Sequence, residues 1–263
     1  MPAEILRDRG EIERFLREDV TLNIYAIGDL DDFYWPHTRW YGRRGAAGLA
    51  AVILLYTAFD PPILLLTASP HRADAARQLF TEIVPLLPPR VYAHISESLL
   101  ETVQHSHHLQ SHGLHYKMSL QNRRALDAYP PGETERATTE DAAALAQLFA
   151  QSYPDNAFDP RMLETGQFFL IRENSAIRSL AGIHVYSPQY RVAALGNIVT
   201  HPDYRGRGLG TRVTASVCRS VLAAVDHVGL NVRADNTTAI HSYQRLGFEI
   251  HAPYLEATLT LKN

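Results

Sequence analysis

A glycine-rich turn between an apolar strand and a long helix constrains the fold of this chain more than any other segment. The turn reads Arg-Gly-Arg-Gly-Leu-Gly at residues 205–210, and the strand expected before it covers residues 196–200. After the turn, apolar residues recur at every fourth position and form one stripe of a helix expected over residues 208–226. They are Leu209, Val213, Val217, Val221 and Val225. This strand-to-helix junction predicts a mixed α/β (α+β) fold in which helices flank a sheet.

The start of this helix has the chemistry of an anion site. The first amide groups of a helix have no partner within the helix and its dipole is positive there, so a pyrophosphate can bind largely through the backbone. Glycine permits turn angles closed to other residues, and Arg205 and Arg207 add positive charge. A dinucleotide fingerprint is excluded because position 211 is Thr211, and a P-loop is excluded because the segment has no lysine.

Two segments together resemble the acetyl-CoA signature of the GNAT superfamily. The first is Arg-x-x-Gly-x-Gly at residues 205–210, preceded by His-Pro-Asp-Tyr, and the second is Asn-x-x-Ala-x-x-x-Tyr-x-x-x-Gly-Phe at residues 236–248. The resemblance covers residues 133–263. It implies an acyl-CoA-dependent N-acyltransferase domain with a mixed, mostly antiparallel sheet, using acetyl-CoA as cosubstrate and no metal.

In this family the strand before the turn splays from its neighbour at a bulge, and the pantetheine arm of the cofactor pairs with the exposed backbone. An unpaired strand segment suits an extended, amide-containing ligand. Ordinary core packing of the strand and simple N-capping by Asn236 are the alternatives. The positions that the resemblance assigns to the cofactor are Ile198, Val199, Thr200, Arg205, Gly206, Arg207, Gly208, Leu209, Gly210, Thr211, Asn236, Ala239 and Tyr243.

The same motif implies that Tyr243 is the general acid, because a phenol can donate a proton to the departing thiolate. The general base is open, since the strand before the turn carries no acidic residue. Asn197 is expected to orient a water or the substrate, and His184 on the preceding strand has a suitable ordinary pKa. Asp155 and Glu256 are weaker candidates.

The N-terminal half contains neither motif. A polar segment over residues 121–139, broken by two prolines and a glycine, predicts a linker between domains over residues 1–125 and 133–263. Helices are expected over residues 4–18 and 20–30, followed by an element order similar to that of the second half. We therefore predict two tandem GNAT-like domains, the first degenerate and without cofactor, in a layout similar to glycine N-acyltransferases.

The resulting hypothesis is transfer of acetyl from acetyl-CoA to a primary amine of a small molecule or peptide, by direct attack in a ternary complex. Cys218 is expected inside a helix, which disfavours a covalent acyl-enzyme. A longer-chain acyl-CoA:amino acid N-acyltransferase and a non-catalytic CoA-binding module are the alternatives.

Charge and composition narrow the partners. The net charge is −3 without a sustained basic run, so a nucleic-acid partner is not expected. The longest apolar run is too short to cross a membrane, which argues against a membrane partner. The single cysteine cannot form an internal disulfide and fits the reducing cytoplasm. We expect a cytoplasmic monomer or homodimer.

Overall fold

The computed structural model describes residues 2–132, 134–154, 156 and 158–262. The chain forms two compact units. Unit 1 consists of Met1–Lys117, Arg233–Asp235 and His251–Asn263, and unit 2 of Met118–Val232 and Asn236–Ile250.

Both units combine helices with strands. The helices are α1 Arg9–Leu16, α2 Val20–Gly28, α3 Ala73–Ile83, α4 Leu100–Ser106, α5 Ala142–Ser152, α6 Leu209–Leu222 and α7 Thr237–Arg245. The strands are β1 Glu4–Leu6, β2 Thr38–Gly45, β3 Gly48–Tyr56, β4 Ile63–Leu66, β5 Arg90–Ile95, β6 His107–Leu120, β7 Glu135–Arg136, β8 Phe169–Glu173, β9 Ala176–Ser187, β10 Val192–Thr200, β11 His227–Arg233 and β12 Phe248–Leu261. None of the described helices has the length and apolar composition needed to span a membrane.

The sheet of unit 1 begins with the antiparallel strands β1 to β4, and β5 then lies parallel to β4. The second half of β12 pairs antiparallel with β5, from Leu255 opposite Ile95 to Thr260 opposite Arg90. Helix α3 packs on β2 and β3. Its apolar stripe closes a core that includes Ile53, Leu55, Leu64, Leu66, Leu79, Phe80, Ile83, Val91, Ala257 and Leu259.

One expectation for the N-terminal half is wrong. The helix predicted over residues 4–18 starts only at Arg9, because Glu4–Leu6 pair with β2 and the Asp8 side chain caps the helix by accepting from the Glu11 amide. Pairing with a distant strand overrides the local helical pattern here.

The sheet of unit 2 has the order β7-β8-β9-β10-β11. Its strands pair antiparallel up to β10, and β10 then pairs parallel with β11. Helix α6 provides the crossover between the two parallel strands and packs on β8, β9 and β10 with the valines of its predicted stripe. The strand, glycine turn and helix predicted from the sequence are thus present.

The order of elements is the same in both units. Each has a short strand, one or two helices, three antiparallel strands, a helix, a parallel strand and a further helix. The expectation of a tandem, mixed fold with a mostly antiparallel sheet is confirmed. The limits 1–125 and 133–263 stay a prediction, and the contacts assign residues 251–263 to unit 1 because β12 pairs with β5.

Candidate active site

Strands β10 and β11 diverge halfway along their length. Their parallel register runs from Val192 opposite His227 to Leu195 opposite Leu230 and extends no further between these two strands. β10 nevertheless continues to Thr200, held by β9 on its other side. One backbone edge of residues 196–200 is therefore turned away from the ladder with β11, which is where Ile198, Val199 and Thr200 lie.

A bulge marks the place where the strands part. The register between β9 and β10 shifts between Gly196 and Val199, and Asn197 has a left-handed backbone with φ of 53°. Asparagine tolerates this conformation better than most residues. The predicted bulge is present, and it ends regular pairing just before the glycine turn.

The glycine turn leads directly into α6. Gly206 and Gly208 have φ of 78° and 74°, and a Cβ added to either would meet no atom within 4 Å. Glycine is therefore required there by backbone conformation rather than by lack of space. Gly208 is the N-cap residue and supplies no side-chain cap. The first amides of α6, at Leu209 to Thr211, thus receive no side-chain cap and can donate to an anion.

The three arginines around this turn have different partners. Arg205 donates from Nε to the Thr200 carbonyl at 3.3 Å and from Nη2 to the Ser152 carbonyl at 3.4 Å, so it ties the turn to the end of α5. The guanidinium carbons of Arg178 and Arg207 lie 4.3 Å and 4.7 Å from the centroid of the Tyr204 ring.

Tyr243 on α7 is buried, with 8% of its surface exposed. Burial raises the pKa of its phenol above the ordinary value, and the neighbouring Tyr153 and Cys218 raise it further. No residue that the structure describes is hydrogen-bonded to its hydroxyl. The phenol is thus protonated at neutral pH and available as a donor. At the start of the same helix, Asn236 Oδ1 accepts from the Ala239 amide at 3.1 Å, so its capping role is present.

His184 lies against the backbone of Gly196. A Cβ built on Gly196 would come within 1.7 Å of His184 Cδ2 and 2.1 Å of Nε2. The imidazole therefore occupies the space that any larger residue at position 196 would need. The structure thus brings His184 to the residue directly before the bulge.

Asn197 is buried at the bulge itself, with 2% of its surface exposed. Its Nδ2 donates to the Ile183 carbonyl at 3.3 Å and contacts Met162 Sδ at 3.7 Å, which fixes the orientation of the amide. Its Oδ1 is buried without a hydrogen-bond partner among the described residues. A buried amide oxygen without a partner costs free energy, so it marks a position where a donor from a ligand or water fits.

The sequence reasoning missed two further polar groups. Asn231 follows Leu230 at the point where β11 parts from β10, and its Oδ1 is buried without a partner in the described part of the chain. The Ser152 hydroxyl is likewise buried without a hydrogen-bond partner among the described residues, and the carbonyl of the same residue accepts from Arg205. An asparagine between Leu230 and Val232 was a detectable signal, since it interrupts an apolar strand.

Glu256 does not join this group. Glu256 belongs to unit 1, where its carboxylate accepts from the Tyr254 hydroxyl at 2.6 Å and from Tyr92. Asp155 lies outside the described residues. Burial raises the pKa of the Cys218 thiol to about 12, which argues against a nucleophilic role. No cluster of three or more metal-ligating side chains occurs among the residues with described positions.

Residues 175–255 match the model of the FR47-like protein family. A 49-residue segment is 53% identical to the mycothiol acetyltransferase of Corynebacterium aurimucosum, and the match covers 18% of this chain and 16% of that protein. A tandem GNAT protein from the clavulanic acid biosynthesis pathway has a similar structure, with a TM-score of 0.54, 16% identity and coverage of 97% of this chain and 98% of its own. The chain therefore has the fold of the GNAT proteins.

A Drosophila protein of known structure is similar to this chain over 98% of both chains, with a TM-score of 0.71 and 15% identity. At such identities the likeness concerns the fold alone. It extends over both units, whereas the family model is confined to residues that include the glycine turn, Asn236 and Tyr243.

Proposed function

We propose that unit 2 transfers an acetyl group from acetyl-CoA to a primary amine. The observation that carries the proposal is the divergence of β10 from β11 directly before the uncapped N-terminus of α6. This arrangement offers unpaired backbone to an extended amide-containing arm and helix amides to a pyrophosphate in one continuous track.

Two buried polar atoms without partners among the described residues fit the same donor. These are Ser152 Oγ, at the end of α5, and Arg178 Nε, on β9, and both residues contact the turn or its flanks. Backbone groups of Ile198, Val199 and Thr200 would hold the pantetheine arm, and residues 206–211 the pyrophosphate. Asn236 keeps its Nδ2 for the arm, because its Oδ1 already caps α7. When bound, acetyl-CoA supplies the electrophilic thioester carbon.

Unit 1 has no comparable track in its described part. β4 stays paired with β5 along its whole length. Ser96 extends this pairing beyond the strand ends, because its amide donates to the Leu66 carbonyl and its hydroxyl accepts from the Ala68 amide. At the start of α3, Arg72 is bound by the Glu18 carboxylate at 2.7 Å. We therefore assign the donor to unit 2.

In the proposed step the lone pair of a neutral amine attacks the thioester carbon, a C–N bond forms and the C–S bond breaks. The departing sulfur takes its proton or hydrogen bond from Tyr243, whose raised pKa keeps the phenol protonated. The proton lost by the amine passes to His184, directly or through a water.

The acceptor amine is held by neutral groups in this proposal. β9, β10 and β11 contain no aspartate or glutamate, while Asn197 and Asn231 each present a buried amide oxygen. Amide oxygens accept hydrogen bonds from an amine without stabilising its ammonium form as a carboxylate does. Such a site favours the nucleophilic neutral amine. A small-molecule or peptide amine fits, and the similarity to a mycothiol acetyltransferase segment favours a small molecule.

The test is release of CoA thiol from acetyl-CoA in the presence of a panel of primary amines. We expect amine-dependent release and a fall of kcat by about 10²-fold or more in Tyr243→Phe. Tyr186→Phe, on β9, is the matched control and should leave kcat unchanged. Acetyl-, butyryl- and octanoyl-CoA are compared, and higher kcat/KM for octanoyl-CoA would favour the longer-chain alternative.

Binding of acetyl-CoA without thiol release, unchanged by Tyr243→Phe, would identify a non-catalytic CoA-binding module instead. Failure of acetyl-CoA to bind unit 2 would overturn the proposal altogether.

A further inference from the structure

Arg178 is an arginine outside the glycine motif that reaches the phosphate turn. It lies near the start of β9, and its carbonyl accepts from the amide of His201, the residue with which the turn begins. Its guanidinium stacks on the Tyr204 ring at 4.3 Å. Pairing between β9 and β10 therefore brings a cation from another strand to the turn.

The Nε donor of Arg178 is unused within the described chain. Its Nε is buried and has no hydrogen-bond partner among the residues that the structure describes. Its guanidinium stacks on the Tyr204 ring. A guanidinium carries five N–H donors in a fixed fork that matches phosphate. Half-buried donors without acceptors cost free energy, unless a ligand accepts their hydrogen bonds.

The neighbouring arginines divide into two kinds. Arg205 spends its donors on backbone carbonyls of Thr200 and Ser152, and so serves the shape of the turn. Arg207 is more than half exposed, stacks on the same Tyr204 ring and lies 3.9 Å from Glu173. Tyr204 thus holds two guanidiniums near the turn, of which Arg178 has no carboxylate partner within the described chain.

The acetyl donor, acetyl-CoA, carries one more phosphate group than the glycine turn would bind. CoA has a pyrophosphate and a separate 3′-phosphate, and the uncapped amides of α6 suit the pyrophosphate. A phosphate dianion is bound well by a planar guanidinium through two parallel hydrogen bonds. A second cationic group beside the turn therefore has a matching anion in the same ligand.

We propose that Arg178, supported by Tyr204 and Arg207, forms a subsite for the 3′-phosphate of CoA. The subsite makes the protein select CoA over its 3′-dephospho form. The inference rests on the proposed donor and adds a specificity determinant from β9 to it.

The experiment measures the Kd of CoA and of 3′-dephospho-CoA by isothermal titration calorimetry, with wild-type protein and the Arg178→Gln variant. Dephospho-CoA lacks the phosphate that Arg178 would bind, so it cannot make this charge-assisted contact. Wild type should therefore have a Kd for CoA at least about tenfold lower than its Kd for dephospho-CoA. In Arg178→Gln the Kd of CoA should rise to that of dephospho-CoA, while the Kd of dephospho-CoA changes by less than about twofold. Arg178→Lys keeps the charge without the fork and should recover only part of the preference.

Arg191→Gln is the control, because it removes one positive charge from unit 2 at an arginine paired with Asp226. It should leave both affinities unchanged. Thermal unfolding of each variant shows whether it is folded. If Arg178→Gln does not fold, the Kd values of Arg178→Lys are compared with those of wild type instead.

Equal weakening of both ligands in Arg178→Gln would assign Arg178 to the pyrophosphate and overturn the inference. So would an unchanged preference for CoA. In either case CoA binding to the wild type persists, and the proposed function stands; absence of CoA binding in the wild type would instead refute the function.

Discussion

Replacement of Gly196 by alanine tests the contact between β10 and the candidate base. The new Cβ would lie 1.7 Å from His184 Cδ2, whereas carbon atoms in van der Waals contact are about 3.5–4 Å apart. The imidazole must therefore retreat by about 2 Å or turn to another rotamer. Inserting a methyl group into such a site costs about 1–3 kcal/mol of unfolding free energy. For a chain of this size that corresponds to a fall in Tm of about 2–12 °C.

The activity should fall as well, because the displaced ring leaves the residue next to the bulge. We expect Gly196→Ala to lower kcat by about 10²-fold, the lower range for loss of a general base, while the Kd of acetyl-CoA changes little. The assays are calorimetric unfolding and thiol release with an amine acceptor.

A double-mutant cycle with His184→Ala isolates the contact. Removing the imidazole makes room for the methyl group, so Gly196→Ala should cost at least about 1 kcal/mol less in the His184→Ala background. An equal loss of stability in both backgrounds would refute the assignment of this ring to the space above Gly196. Full activity of Gly196→Ala would refute the positioning of His184 as the base.

Two further substitutions test the anion site and the acceptor site. Gly208→Ala places a side chain at φ of 74° and should cost about 1–2 kcal/mol of stability while raising the Kd of CoA; calorimetry measures both, and an unchanged Kd would contradict the role of the turn. Asn231→Leu removes a buried oxygen that has no partner among the described residues, so it should leave stability unchanged or raise it by about 1 kcal/mol while raising the KM of the amine by about tenfold. An equal rise in the KM of acetyl-CoA would place Asn231 on the donor instead.

The donor half of the candidate site was predictable because its parts are local. The order strand, glycine turn and helix appears in consecutive residues, and the left-handed angles of Gly206 and Gly208 are typical of such turns. The N-cap of α7 at Asn236 follows from the sequence in the same way.

The acceptor half depends on pairing between distant residues. The contact of His184 with Gly196 arises from the irregular register of β9 and β10, which no local pattern specifies. Asn231 lies where β11 diverges from β10. Predicting that position requires knowing that β11 is the parallel partner of β10, which the local sequence does not specify. The helix expected from residue 4 failed for the same reason, since β2 supplies hydrogen bonds to Glu4–Leu6 that outweigh a weak local preference.

The position of β12 has a consequence for the order in which unit 1 can be completed. Residues 255–260 cover β5, and Ala257 and Leu259 fill part of its core. These residues are synthesised after every other element of unit 1, so the nascent first 117 residues carry an uncovered strand edge until translation reaches them. A truncated fragment of that length retains the same open edge and is prone to pair with other chains.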